Sequence, residues 1–281
     1  MEADLTVSRP LFARGQGPIV AIDAAHNNFH TAEERYAPFA EVLRNDGFRI
    51  RSLTAKISPS ELAPLQVLVI SNALADENVV EWRLPTPSAF TQVEIEAIRE
   101  WVRLGGALFL IADHMPFPGA MASLASAFGF EFDNSVATAE TPRLELFSRA
   151  NGALLDNEIV RGDVAGAPVT EVRTFVGSSF RAPPAAIPIM RLGSGWTILF
   201  PEVWGEISPA TPRRPSTEAD LRAAALEFGN GRVVVVSEAA AFSAQSTPSG
   251  PMGFRAEHAS QNKQFLLNVV HWLSRADANA R

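Results

Sequence analysis

The 281-residue chain contains no cysteine, so a disulfide framework, a thiolate nucleophile and a zinc–thiolate site are all excluded. Basic residues are few: 24 Lys and Arg against 31 Asp and Glu give a formal charge of −7. No Arg/Lys cluster interleaved with aromatics occurs, which argues against nucleic acid as a partner. No apolar run approaches the ~20 residues of a membrane span, and Met1 to Gly17 holds no apolar core of signal-peptide length. The reading is of a soluble chain without a membrane partner, cytoplasmic or exported with its signal removed. Also missing are a G-x-S-x-G elbow, a P-loop and a G-x-G-x-x-G turn after any expected strand. A serine hydrolase would therefore need an unusual nucleophile such as Ser178, Ser179 or Ser237, and nucleotide binding lacks its backbone cradle.

What is present is apolar residues in ordered patterns. They make up 47% of the chain, ample for a full core in one large α/β domain. The first 130 residues alternate strand and helix. Pro18 to Ile22, Gln66 to Ser71, Gly105 to Ala112 and Arg232 to Val236 read as buried strands, and Phe48 to Leu53 as an edge strand. Thr31 with Glu34 forms a capping-box pattern ahead of Tyr36, Phe39, Ala40 and Leu43, and Gly47 closes that helix. Thr91 with Glu94 repeats the box, with Phe90 and Ile95 as a hydrophobic staple. A short helix is expected over Ala120 to Phe128, and a final one carries Phe265, Leu266, Val269, Trp272 and Leu273. Prolines interrupt the middle, where Val172 to Phe175, Ile187 to Met190 and Thr197 to Phe200 suggest short strands. The expectation is one domain over 1–281, with a β-rich insertion at 132–230 and an extended N-terminal segment at 1–17.

The chemistry gathers where expected strands end, the edge at which open α/β sheets bind ligands. Asp113-His114 closes one buried strand, Asp23-Ala24-Ala25-His26-Asn27-Asn28-Phe29-His30 follows another, and Ser237-Glu238 follows a third. Three of the five histidines lie in these turns. His26 and His30 are spaced i, i+4, but the helix starts only at Thr31, so they read as a loop pair whose imidazoles can still converge on one ion. The alternatives stay open: loop residues satisfying backbone groups, Asp113 or Glu238 as caps, and His271, His258, Gln261 and Asn262 in surface or helix-initiating roles.

Val20 to Asp23 with His26 to His30, Phe90-Thr91 through Gly105-Gly106 to His114, and Gly231 through Glu238 with the closing 268–273 helix together resemble the class I glutamine amidotransferase-like superfamily. The nearest likeness is to its uncharacterised branch near ThuA-like and intraflagellar-transport-type domains. That resemblance implies a flavodoxin-like, three-layer doubly wound, mainly parallel sheet, here with an antiparallel β-rich insertion or extension. It also implies an elbow cysteine, whose place is taken by Asp113-His114-Met115, so the usual glutaminase chemistry is ruled out. Relatives include binding domains and proteins linked to carbohydrate use.

These observations lead to an expected metal-dependent hydrolase of a small ester, amide or glycoside-like substrate. His26, His30, Asp113 and His114 would hold a divalent zinc, manganese or iron ion, and Glu238, Asp23 or His114 would act as catalytic groups. Asn28, Phe117, Glu202 and Ser237 would line the substrate. The alternative is a non-enzymatic binding module for carbohydrate or a protein partner.

Overall fold

Short apolar runs bounded by turns become the strands of a wound sheet in the computed structural model, which describes residues 3–141, 145–248 and 250–275. The first half comprises β1 (Ile19–Asp23), α1 (Ala37–Asn45), β2 (Arg49–Leu53), α2 (Pro59–Leu62), β3 (Val67–Ser71), α3 (Gln92–Arg103), β4 (Ala107–Ile111) and α4 (Phe117–Ser126). The middle adds β5 (Glu131–Phe132), β6 (Val136–Ala139), β7 (Leu146–Ser148), α5 (Glu158–Arg161), β8 (Glu171–Arg173), β9 (Phe180–Arg181), β10 (Ile187–Arg191), β11 (Trp196–Leu199) and β12 (Arg213–Pro215). The chain then closes through β13 (Leu221–Phe228), β14 (Gly231–Val236) and α6 (Asn262–Ser274).

Among the described residues the main sheet has nine strands in the order β2-β1-β3-β4-β14-β13-β9-β5, with β10 also pairing β13. The first five are mutually parallel in the flavodoxin-like order, which places a topological switch point between β1 and β3. From β13 onward the pairing is antiparallel. Separate antiparallel sheets, β12-β11-β6 and β7-β8, complete the extension.

Alternation along the strands divides the core. Val67, Val69, Phe109, Ile111, Val234 and Val236 pack with α1 and α6, whereas Leu68, Ile70, Leu108, Leu110, Val233 and Val235 pack with α3 and α4. Each such fully buried side chain is worth about 1.5–3 kcal/mol. The same period of two carries past the strand ends. It sends Ser71, Asp113 and Glu238 toward the α1/α6 face, and Asp23 with Ala21 toward the α3/α4 face.

Three local expectations are corrected. The Thr31–Glu34 box does not form: α1 begins at Ala37 after Tyr36 with no side-chain cap, and Thr31 carbonyl oxygen instead accepts turn hydrogen bonds from Glu34 and Tyr36 N–H. Pro38 explains this, since a helix running from Thr31 would place its ring against the preceding turn. By contrast, the Thr91–Glu94 box forms in full. α4 starts at Phe117 rather than Ala120. His271, expected on the polar, surface side of the last helix, is 3% exposed, with Nε2 2.5 Å from Asp46 Oδ2.

Candidate functional site

The loop after β1 and the turn after β3 meet at the switch point, and Asn72 joins them. Its backbone lies in the left-handed region at φ 48°, its carbonyl accepts Phe29 N–H, and its Oδ1 accepts Asp113 N–H at 2.8 Å. Around this hub sit two polar clusters on opposite faces of the sheet.

The first cluster is saturated. His26 Nδ1 donates to Asp23 Oδ2 at 2.8 Å and Nε2 to Glu94 Oε1 at 2.9 Å. Burial disfavours the imidazolium, but the Asp23 and Glu94 hydrogen bonds outweigh it and raise the His26 pKa. For Glu94, burial is likewise overcome, by Thr91 and His26 donors that hold the carboxyl down at about 2. Glu94 Oε1 also accepts Ile57 N–H, and Oε2 accepts Thr91 N–H and hydroxyl. One capping glutamate thus ties α3 to the β1 loop, a role that the sequence pattern showed only as a cap.

The second cluster is unsaturated. Burial, with Arg35 and His114 adding to it, lowers the His30 pKa to about 3, so the ring is neutral. Because Asn72 Oδ1 is occupied by Asp113 N–H, Asn72 Nδ2 donates to His30 Nδ1 at 3.3 Å. The proton of His30 is therefore on Nε2, a buried donor without a partner among the described residues. Burial pushes Asp113 up to about 7 against the opposing pull of Arg222 and Asn72, and its Oδ1 is also unpartnered. Glu238 is raised by burial and by Asp113, while its two oxygens accept Ala240 and Ala241 N–H at 2.9 Å each. Tyr36 hydroxyl donates to Ala239 carbonyl oxygen.

Arg222, fully buried, completes this face. Its Nη1 donates to the carbonyls of Ser178 and Ser237, and its guanidinium lies over the Trp196 ring at 5.0 Å. Gly177 permits that approach: a Cβ there would stand 2.2 Å from Nη1 and 2.1 Å from Ser237 carbonyl oxygen. Among the described residues, Arg222 Nε and Nη2 and Ser178 Oγ have no hydrogen-bond partner.

Outside these clusters lies an aromatic cleft of about 460 Å³, with Trp82, Trp204, Glu81, Arg83 and Glu206 among its walls. Trp204 N–H donates to Trp82 carbonyl oxygen and Leu84 N–H to Glu202 carbonyl oxygen, so the two wall loops are clipped together by backbone. His114 stacks face to face on Trp204 at 3.5 Å and 7°. Its Nδ1 donates to Met115 carbonyl oxygen, and burial lowers its pKa to about 4.

The metal expectation is overturned. Among the described residues no group of three or more His, Cys, Asp or Glu side chains is placed to hold an ion. His26 spends both nitrogens on carboxylates on one face, His30 and Asp113 belong to the other, and His114 is turned under Trp204. The zinc, manganese or iron cofactor falls, and with it the metal-dependent hydrolase that rested on it. Of the remaining candidates, Asp23 is the partner of His26 and Glu238 caps the turn after β14. Asn28 accepts His26 N–H and donates to Ser71 carbonyl oxygen, and Phe117 packs against Trp82. Ser237 hydroxyl donates to Ser178 carbonyl oxygen, and Glu202 is exposed beside a neighbouring groove. His258 is exposed, while Asn262 and Gln261 bind the backbone of 170–173. Sequence reasoning missed Arg222, Asn72, Trp82 and Trp204; a lone arginine inside Leu221 to Leu226 was the available signal.

No family model matches the chain, and no curated protein does. Among solved structures, the mmIFT52 N-terminal domain superposes with a TM-score of 0.64 at 16% identity, covering 91% of this chain and 97% of that one. A cytoplasmic protein of Salmonella typhimurium LT2 gives 0.49 at 13% identity over 92% and 98%. A putative ThuA-like protein from Bacteroides uniformis gives 0.46 at 12% identity over 95% and 93%. The chain is thus distantly similar in structure to these proteins. The likeness to the IFT52 domain shows a shared fold, and the chain lacks the cysteine of amidotransferase chemistry.

Proposed function

We propose that the chain is a binding module that takes a carbohydrate in the Trp82–Trp204 cleft at the carboxyl edge of the sheet. The observation that carries the reading is the His114–Trp204 stack, which fixes an indole at the end of β4 in a cleft shared with a second indole, Trp82. Sugar rings offer apolar C–H faces and a polar hydroxyl rim. Indoles match the faces, and Glu81, Arg83 and Glu206 supply acceptors and donors for the rim. Small-molecule recognition there needs no ion.

Titration with glucose, galactose, maltose and cellobiose, read by tryptophan fluorescence and calorimetry, tests this. At least one of the four binds, and Trp82→Ala and Trp204→Ala each weaken it about tenfold, the equivalent of about 1.4 kcal/mol. No heat and no spectral change with any of them overturns the reading.

A further inference from the structure

We propose that Arg222 and Asp113 form an inner subsite that grips two adjacent hydroxyls of the bound ligand, a neutral vicinal diol. This deepens the carbohydrate reading and rests on it. Nη1 of Arg222 is anchored by the Ser178 and Ser237 carbonyls, and the tight seat beside Gly177 fixes the plane of the guanidinium. Nε–H and Nη2–H lie on one edge of a guanidinium and point the same way. In Arg222 both are buried and unpartnered, although that edge is the fork that binds paired oxygens.

A carboxylate, a phosphate and a diol all present such a pair, and the mix of free donors and acceptors on this face decides among them. Beside the fork's donors, the face carries a free acceptor, Asp113 Oδ1. A carboxylate or phosphate oxygen without a proton accepts from the fork but has no hydrogen to give that acceptor. Two hydroxyl oxygens instead accept from the fork without adding charge, and one of them returns its O–H to the free Oδ1 of Asp113. His30 Nε2–H supplies a third donor on the same face of the sheet. Asp113 is the chain neighbour of His114, whose ring stacks on Trp204 of the aromatic cleft, so the subsite adjoins the cleft through the end of β4.

The test is calorimetry with glucose and galactose and their 2-, 3- and 4-deoxy forms, on wild type, Arg222→Lys and Asp113→Ala, each checked for folding by circular dichroism. Removing one hydroxyl of the gripped pair should weaken wild-type binding about tenfold or more. Arg222→Lys keeps the charge but loses the fork, and Asp113→Ala loses the acceptor; each should bind parent and deoxy sugars equally weakly. Should Arg222→Lys fail to fold, Asp113→Ala alone decides. Deoxy sugars binding as well as their parents, Asp113→Ala discriminating like wild type, or acetate binding more tightly than the sugars, each overturns the diol subsite while leaving the cleft reading intact. If neither parent sugar binds although maltose or cellobiose does, the subsite is likewise overturned; silence from all four falls on both.

Discussion

His26 and His30 lie four residues apart in one loop, and each is 1% exposed, yet their surroundings are opposite. His26 has a carboxylate on each ring nitrogen, while His30 has one amide partner and a free buried N–H. A buried polar group that is fully paired holds structure together; one left unpaired costs stability and needs another explanation. By that criterion the Asp23–His26–Glu94 cluster is a clasp between the β1 loop and α3, and the His30–Asp113–Arg222 face is where recognition should be sought.

The contrast can be broken most forcefully at His26. His26→Ala removes the one cation shared by two buried carboxylates and should cost about 3–5 kcal/mol in chemical denaturation; a loss under 1 kcal/mol would erase the distinction between the faces. Asp113→Asn should do the reverse. The raised carboxyl of Asp113 keeps its proton in the folded state while the unfolded one loses it, so wild-type stability falls as pH rises from about 4 to about 7. Asp113→Asn should therefore be more stable than wild type by roughly 4 kcal/mol at pH 8 and equal to it near pH 3.5. His26 sharpens the pH contrast: its raised pKa gives a contribution fully present below about 6.5 that fades as pH rises through the folded value. A His26→Gln denaturation series should lack that decline. Smallest is Thr91→Ala, which removes the cap of α3 for about 1 kcal/mol, measurable by thermal melting.

The parallel strands were legible because each is a short, uninterrupted apolar run between turn residues, and the Thr91–Glu94 helix because box and staple agree. β13 was not legible: Leu-Arg-Ala-Ala-Ala-Leu-Glu-Phe carries alanine suited to helix, and only pairing with β14 and β10 makes it a strand. Its Arg222, which holds the free fork, went unseen with it. The strand-end residues were found, but their division was not. An i, i+4 pair shares a face in a regular helix or strand, and the 24–36 loop is neither, so His26 and His30 part company across the sheet. The indoles sit in proline-rich loops where no periodicity marks them.

The border strand β2 has a consequence of its own. Among the described residues it pairs only with β1 in the sheet order, and its sequence, Arg-Ile-Arg-Ser-Leu, sets guanidinium groups along that margin. Arg49 is tied to Gly17 carbonyl oxygen and Arg51 to Glu61. An incoming strand from a second molecule would have to bury these charges to dock. The parallel margin thus resists the edge-to-edge stacking that leads to aggregation.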